Sequence, residues 1–173
     1  MDSDGLRRLI RDVPDFPAPG VVFRDITPLL ADSAAFSAAV DALAAPYGPD
    51  IDFVAGVEAR GFIFAAPVAQ RLGAGFIPVR KPNKLPWETV SQSYELEYGI
   101  DTLEIHADAV KPGDRVLLVD DVLATGGTAV AAASLLESSG ATVVGLSFLI
   151  ELGFLGGRSK LGQRPINSAV MYD

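Results

Sequence analysis

Two adjacent acids and a glycine-threonine turn follow one another in Val116-Leu117-Leu118-Val119-Asp120-Asp121-Val122-Leu123-Ala124-Thr125-Gly126-Gly127-Thr128. The apolar residues at the front read as a buried strand. It delivers Asp120 and Asp121 at its carboxyl end, where ligands settle in open α/β sheets. Gly126 and Gly127 permit a tight turn with consecutive N–H groups exposed, Thr125 and Thr128 add hydroxyls, and the next helix presents its positive end. Those donors suit one terminal phosphate. Carboxylates repel phosphate, so the acids imply a ligand that brings hydroxyls or a bridging metal ion beside them, as a phosphorylated ribose does. The plainer reading is a helix cap with two solvated turn acids. No GxxxxGK[ST] is present and no GxGxxG follows a strand, which disfavours Walker-type hydrolysis and dinucleotide binding. Gly156-Gly157-Arg158-Ser159-Lys160 reads as the start or cap of a short helix.

These residues sit in a chain of 173 residues, one domain's worth, with 49% hydrophobic and 21% charged residues, a composition that buries a core. The absence of cysteine removes disulfides and thiol chemistry, and a single histidine, His106, removes two-histidine metal sites. His106 reads as structural or surface, since no nucleophile context suggests a triad. A net charge of -8 disfavours long polyanions and leaves small phosphates open, because local backbone donors bind them whatever the overall sign. Met1 to Arg11 mixes acids and arginines without an apolar run, and no stretch approaches a membrane span. The expectation is a cytoplasmic protein that binds neither nucleic acid nor membrane.

The elements that must position the acids alternate along the chain. Leu6, Leu9, Ile10 and Val13 are spaced as a helix that Pro14 stops, and Phe16–Arg24, with Pro17, Pro19 and Gly20, reads as a stiff irregular segment. A helix over Ser33–Ala45 is capped by Asp32 or Ser33. Strands at Phe53–Val57, Gly75–Val79, Val116–Val119 and Val143–Ile150 alternate with helices at Phe62–Leu72 and Thr128–Ser138. This is an α/β pattern with a mostly parallel, twisted sheet flanked by helices. Lys81–Glu104 interrupts it: long, polar, with alternation through Val90, Gln92, Tyr94, Leu96 and Tyr98. Such a segment is either a two-stranded arm that closes over a site or an ordinary surface hairpin.

The turn from Val116 to Thr128 resembles the phosphoribosyl-diphosphate signature of the type I phosphoribosyltransferases. Four more stretches resemble the adenine-using branch of that family, in family order over nearly the whole length: Phe16–Pro28, Gly56–Phe62, Arg80–Pro86 and Ser93–Gly99. The resemblance implies a single domain over residues 1–173. It would have a base-recognition segment within 1–30, a flexible hairpin lid over 81–104, and a homodimer. The reaction implied is Mg²⁺-dependent transfer of the 5-phosphoribosyl group from phosphoribosyl diphosphate to adenine. A related transferase for another base and a non-enzymatic regulator of the same fold are the rivals; the second would carry a DNA-binding domain or a basic face.

Residue by residue, the resemblance implies that Ala124, Thr125, Gly126, Gly127 and Thr128 hold the 5-phosphate. Asp120 and Asp121 would bind the ribose hydroxyls and the metal, directly or through substrate and water. Glu58, Ala59 and Arg60 fall on the diphosphate loop, with Arg60 as a planar charged fork and Lys81 or Lys84 beside it. The family more often has serine at the Ala59 position, so a hydroxyl contact is missing. Without the resemblance, Arg60 reads nearly as well as a partner for Glu58 or a cap on the sheet. Val22, Phe23 and Arg24 would read adenine through unpaired main-chain groups, with Phe23 and Leu152 against the ring or simply in the core. Glu97 and Tyr98 match the tip of the family's catalytic loop, where a carboxyl group manages a ring-nitrogen proton. Read plainly, Glu95, Glu97 and Glu104 form a solvated face.

Overall fold

Successive residues of one strand are buried on opposite sides of the sheet, which is why the runs read in the sequence are continuously apolar. In the strand β7, Arg115–Leu123, Val116 and Leu118 join one buried cluster, and Leu117 and Val119 join another. The structure, a computed structural model, describes residues 1–96 and 99–173. In chain order its first elements are α1 (Ser3–Arg7), β1 (Arg11–Pro14), β2 (Val22–Asp25), α2 (Thr27–Ala31), α3 (Ser33–Ala44), β3 (Phe53–Val57), α4 (Gly61–Leu72) and β4 (Gly75–Val79). They are followed by β5 (Thr89–Leu96), β6 (Gly99–His106), β7, α5 (Gly127–Ser138), β8 (Thr142–Leu152), α6 (Gly157–Lys160) and β9 (Ile166–Tyr172). The central sheet is five-stranded and parallel in the order β4-β3-β7-β8-β9. Pro78 is tolerated because β4 lies at the sheet edge.

Helices cover both faces. On one, α5 and the β5–β6 hairpin bury Ala131–Ala133, Leu135, Leu136, Leu103 and Ile105. On the other, α1 to α4 contribute Leu6, Leu29, Leu43, Phe64 and Val68. Asp32 caps α3 by accepting from the N–H groups of Ala34 and Ala35, as its position in the sequence predicts. Lys81–Glu104 does contain a two-stranded hairpin, β5 and β6 pairing antiparallel from Thr89↔His106 to Leu96↔Gly99. No described helix is long and apolar enough to cross a membrane.

Three expectations need correction. The first helix ends at Arg7 rather than Val13; Arg11–Pro14 pairs with Val22–Asp25, and this long-range partner overrides a marginal helical pattern. Val22–Arg24 is therefore strand, and its main chain is paired along one edge instead of wholly free; alternate residues of the ladder still turn N–H and C=O outward. Finally, Asp120 and Asp121 lie inside β7, not beyond it. The longer β8 extends the pairing through Asp120↔Phe148, Val122↔Ile150 and Leu123↔Glu151. Asp121 is thus withdrawn from solvent, only 6% exposed, and Asp120 is half-buried. The edge strand β9, polar at Asn167 and Ser168, escapes a search for apolar runs altogether.

Candidate active site

The carboxyl ends of the paired strands β3 and β7 open side by side onto a cavity of about 340 Å³ lined by Val57–Arg60, Lys81 and Asp120–Ala129. Its floor is the turn from Ala124 to Thr128. Gly126 has φ +85°, the left-handed region that favours glycine, and it opens α5 without a side-chain cap. Among the described residues, no backbone acceptor outside α5 takes the N–H groups of Thr125, Gly126 or Gly127. Unpaired amides at the start of a twelve-residue helix are what an incoming anion needs.

The acids stand against this turn. Asp120 Oδ1 accepts from the Asp121 N–H at 2.9 Å. It also passes so close to α4 that a Cβ at Gly61 would lie 2.7 Å from it and would displace the carboxylate. Arg60 Nε lies 2.9 Å from Asp121 Oδ2, and this oxygen is buried without a hydrogen-bond partner. The Arg60 guanidinium therefore reaches Asp121 on the neighbouring strand; among the described residues it is not paired with Glu58. On its other side it sits 5.0 Å from the centre of the Phe23 ring, joining the N-terminal segment to the acids.

Burial pushes the Asp120 carboxyl well above its ordinary 3.8, and the neighbouring Asp121 charge pushes it further. Burial also raises Asp121, with Arg60 pulling the other way. These are groups held ready for a cationic or hydroxyl-bearing partner.

Glu58 is occupied on the opposite wall. It binds Arg80 Nη2 at 3.0 Å and accepts from the Lys81 N–H; these contacts outweigh burial and hold its carboxyl below the usual range. Lys81 lines the cavity, and its ammonium is tied to Asp101 and lies 3.4 Å from the Tyr94 hydroxyl. Those two contacts outweigh burial and raise its pKa. Tyr94 Oη in turn lies 3.3 Å from Thr128 Oγ1, so the hairpin rests on the glycine-threonine turn.

The remaining candidates are dispersed. Lys84 is exposed and off the cavity wall, its carbonyl 3.4 Å from Arg80 Nη1. Phe23 packs edge-on against Phe16 at 5.2 Å. Arg24 pairs with Asp12 and stacks 4.0 Å over the Tyr172 ring. Val22 is exposed and Leu152 half-buried at the end of β8; neither lines the cavity. Glu97 and Tyr98 lie outside the described residues. His106 ends β6 with Nε2 buried and unpartnered, away from the cavity. Sequence reasoning passed over Val57, Val122, Leu123 and Ala129, which complete the wall, and Tyr94 and Asp101, which hold Lys81. The alternation of the hairpin was the one available signal for Tyr94.

A parallel sheet with a glycine-threonine turn and paired acids at one strand end defines a class, and residues 26–162 match the phosphoribosyl transferase domain. The adenine phosphoribosyltransferase of Thermobifida fusca is 67% identical over 155 residues, 89% of this chain and 88% of that protein. The crystal structure of adenine phosphoribosyltransferase from Thermoanaerobacter pseudethanolicus superposes with a TM-score of 0.95 at 54% identity, over 98% of this chain and 99% of that one. The Saccharomyces cerevisiae enzyme, solved with adenine and a dideoxy-imino-altritol bisphosphate, gives 0.90 at 40% identity, over 96% and 97%. The chain belongs to the adenine phosphoribosyltransferase family.

Proposed function

We infer that this chain transfers the 5-phosphoribosyl group from phosphoribosyl diphosphate to N9 of adenine, giving AMP and diphosphate, a purine-salvage reaction. The observation that carries it is the cavity of unpaired amides at Thr125–Gly127 set directly beside two carboxylates, Asp121 buried and Asp120 half-buried. A phosphate alone would be repelled by those acids; a phosphate on a ribose puts hydroxyls against them. The adenine in the yeast relative's complex supports the choice of base.

In this reading the turn from Ala124 to Thr128 takes the 5-phosphate, and Asp120 and Asp121 accept from the ribose hydroxyls. Arg60 and Lys81 face the diphosphate, Ala59 offering backbone only. The bond from C1 of the ribose to the diphosphate oxygen breaks and its electron pair leaves with the diphosphate. N9 of adenine supplies the pair for the new bond and its ring releases a proton, which Glu97 accepts, with Tyr98 beside it. Holding a dissociating sugar in line between base and diphosphate supplies much of the acceleration. Val22, Phe23, Arg24 and Leu152 stand on the base side.

Mg²⁺ suits the donor set. Asp120 and Asp121 offer hard oxygens, and Asp121 Oδ2 is buried without a hydrogen bond. The two carboxylates would hold such an ion. When bound, Mg²⁺ neutralises the diphosphate and eases its departure. A homodimer and a cytoplasmic location complete the proposal; light scattering tests the first and cell fractionation the second. The activity is tested with labelled phosphoribosyl diphosphate, Mg²⁺ and a panel of adenine, guanine, xanthine and orotate. AMP from adenine, in preference to product from the other bases, is the expected result. Transfer to another base, or DNA binding in place of diphosphate release, would favour the rivals.

A further inference from the structure

The short helix α6 comes closer to the phosphate turn than any side chain permits. A Cβ at Gly157 would lie 2.2 Å from the Ala124 carbonyl oxygen and 2.9 Å from the Gly126 nitrogen. Reciprocally, a Cβ at Gly126 would lie 2.7 Å from the Gly157 carbonyl oxygen. Two stretches of backbone therefore rest on each other at the residues that form the floor of the cup, and any shift of α6 is transmitted to it directly.

What holds α6 in place is the residue after Gly157. Arg158 Nε donates to Glu151 Oε1 at 2.8 Å and Nη2 donates to Oε2 at 2.5 Å, a two-pronged ion pair. Arg158 also reaches the Ile166 carbonyl at 3.3 Å and Ser168 Oγ at 3.4 Å on β9, and Ser168 Oγ donates to Glu151 Oε2 at 2.5 Å. Glu151 is 3% exposed near the carboxyl end of β8. None of Glu151, Gly157 and Arg158 lines the cavity. A guanidinium engaged at two nitrogens fixes angle as well as distance, which an ammonium does not.

We propose that Arg158 and Glu151 are positioning residues for phosphoribosyl diphosphate: their fork seats Gly157 on Ala124 and Gly126 and so sets the shape of the turn that receives the 5-phosphate. The proposal rests on the functional reading above and adds the residues that tune its phosphate site. They act through the turn and touch no substrate, so the effect belongs to one substrate. The KM for phosphoribosyl diphosphate moves, while kcat and the KM for adenine do not.

The test compares Arg158→Lys, Arg158→Ala and Gly157→Ala in steady-state kinetics, with melting temperatures and calorimetric titration of ribose 5-phosphate alongside. Misplacement at a distance from the chemistry costs up to about a hundredfold. The expected result is a rise of about tenfold to a hundredfold in KM for phosphoribosyl diphosphate in Gly157→Ala and Arg158→Ala. Arg158→Lys falls between wild type and Arg158→Ala, and ribose 5-phosphate affinity drops in the same order. If Arg158→Ala does not fold, the other two variants carry the test. A lowered melting temperature with unchanged KM for phosphoribosyl diphosphate overturns the proposal, as does an equal rise in both KM values. Wild-type protein that makes no AMP refutes the functional reading instead. Ribose 5-phosphate titration then still decides the positioning role, loss of affinity in the variants supporting it and unchanged affinity overturning it.

Discussion

Replacing Asp120 by asparagine separates what the acid does for function from what it does for folding. The causes of its raised pKa, burial first and then the charge and side-chain hydrogen bonding of Asp121, make the ionised form costly in the folded protein. The sign follows: a carboxyl group whose folded pKa is raised destabilises the fold at pH values above it, and the cost fades as pH falls toward the ordinary 3.8. Asparagine keeps the volume, which matters beside Gly61, and keeps an oxygen for the Asp121 N–H. Removing a charge held for function commonly adds about 0.5–2 kcal/mol, or about 1–8 °C in a chain of this size. Activity moves the other way. One hydrogen bond to a charged group is worth about 1.5–3 kcal/mol, so kcat/KM falls by about 10- to 150-fold. Melting curves at pH 7 and pH 4 alongside initial rates provide the assay. A variant that is less stable at pH 7, or that retains full kcat/KM, refutes the reasoning.

Three further perturbations test the proposed reaction. Arg60→Ala leaves Asp121 buried without its counter-charge; because Arg60 is itself 41% exposed, the expected loss is about 1–3 kcal/mol, with a raised KM for phosphoribosyl diphosphate, read by denaturant unfolding and kinetics. Glu58→Gln lowers stability at neutral pH by about 1–2 kcal/mol. Since the Glu58 pKa is depressed in the fold, the gap from wild type narrows as pH falls through that folded value, which melting curves across acid pH detect. Glu97→Gln slows turnover while phosphoribosyl diphosphate binding, measured by calorimetry, stays near wild type; loss of that binding would assign Glu97 a structural part.

The parallel sheet was legible because its strands are buried on both faces and so read as unbroken apolar runs: Phe53–Val57 and Gly75–Val79 fall where the sequence places them. The glycine-threonine turn was legible because Gly126, Gly127 and the threonines must be local to one another. Features that depend on a distant partner were not. Arg11–Pro14 becomes a strand only through Val22–Asp25, and β9 is defined by its pairing with β8. Glu58 and Arg60, two positions apart, invited pairing with each other. They point to opposite walls instead, one to Arg80 and the other to Asp121, a choice made by the sheet geometry. Gly157 gave no sign in the sequence that it meets Ala124, because the contact exists only once α6 folds onto the sheet.

The most direct measurement is a titration of the ¹⁵N-labelled protein with ribose 5-phosphate, following the backbone amides. Thr125, Gly126 and Gly127 should shift together and saturate, as N–H groups do when an anion settles on a helix start, and Asp120→Asn should weaken that saturation. Amides of this turn that stay still while others move would place the sugar phosphate elsewhere and contradict the account.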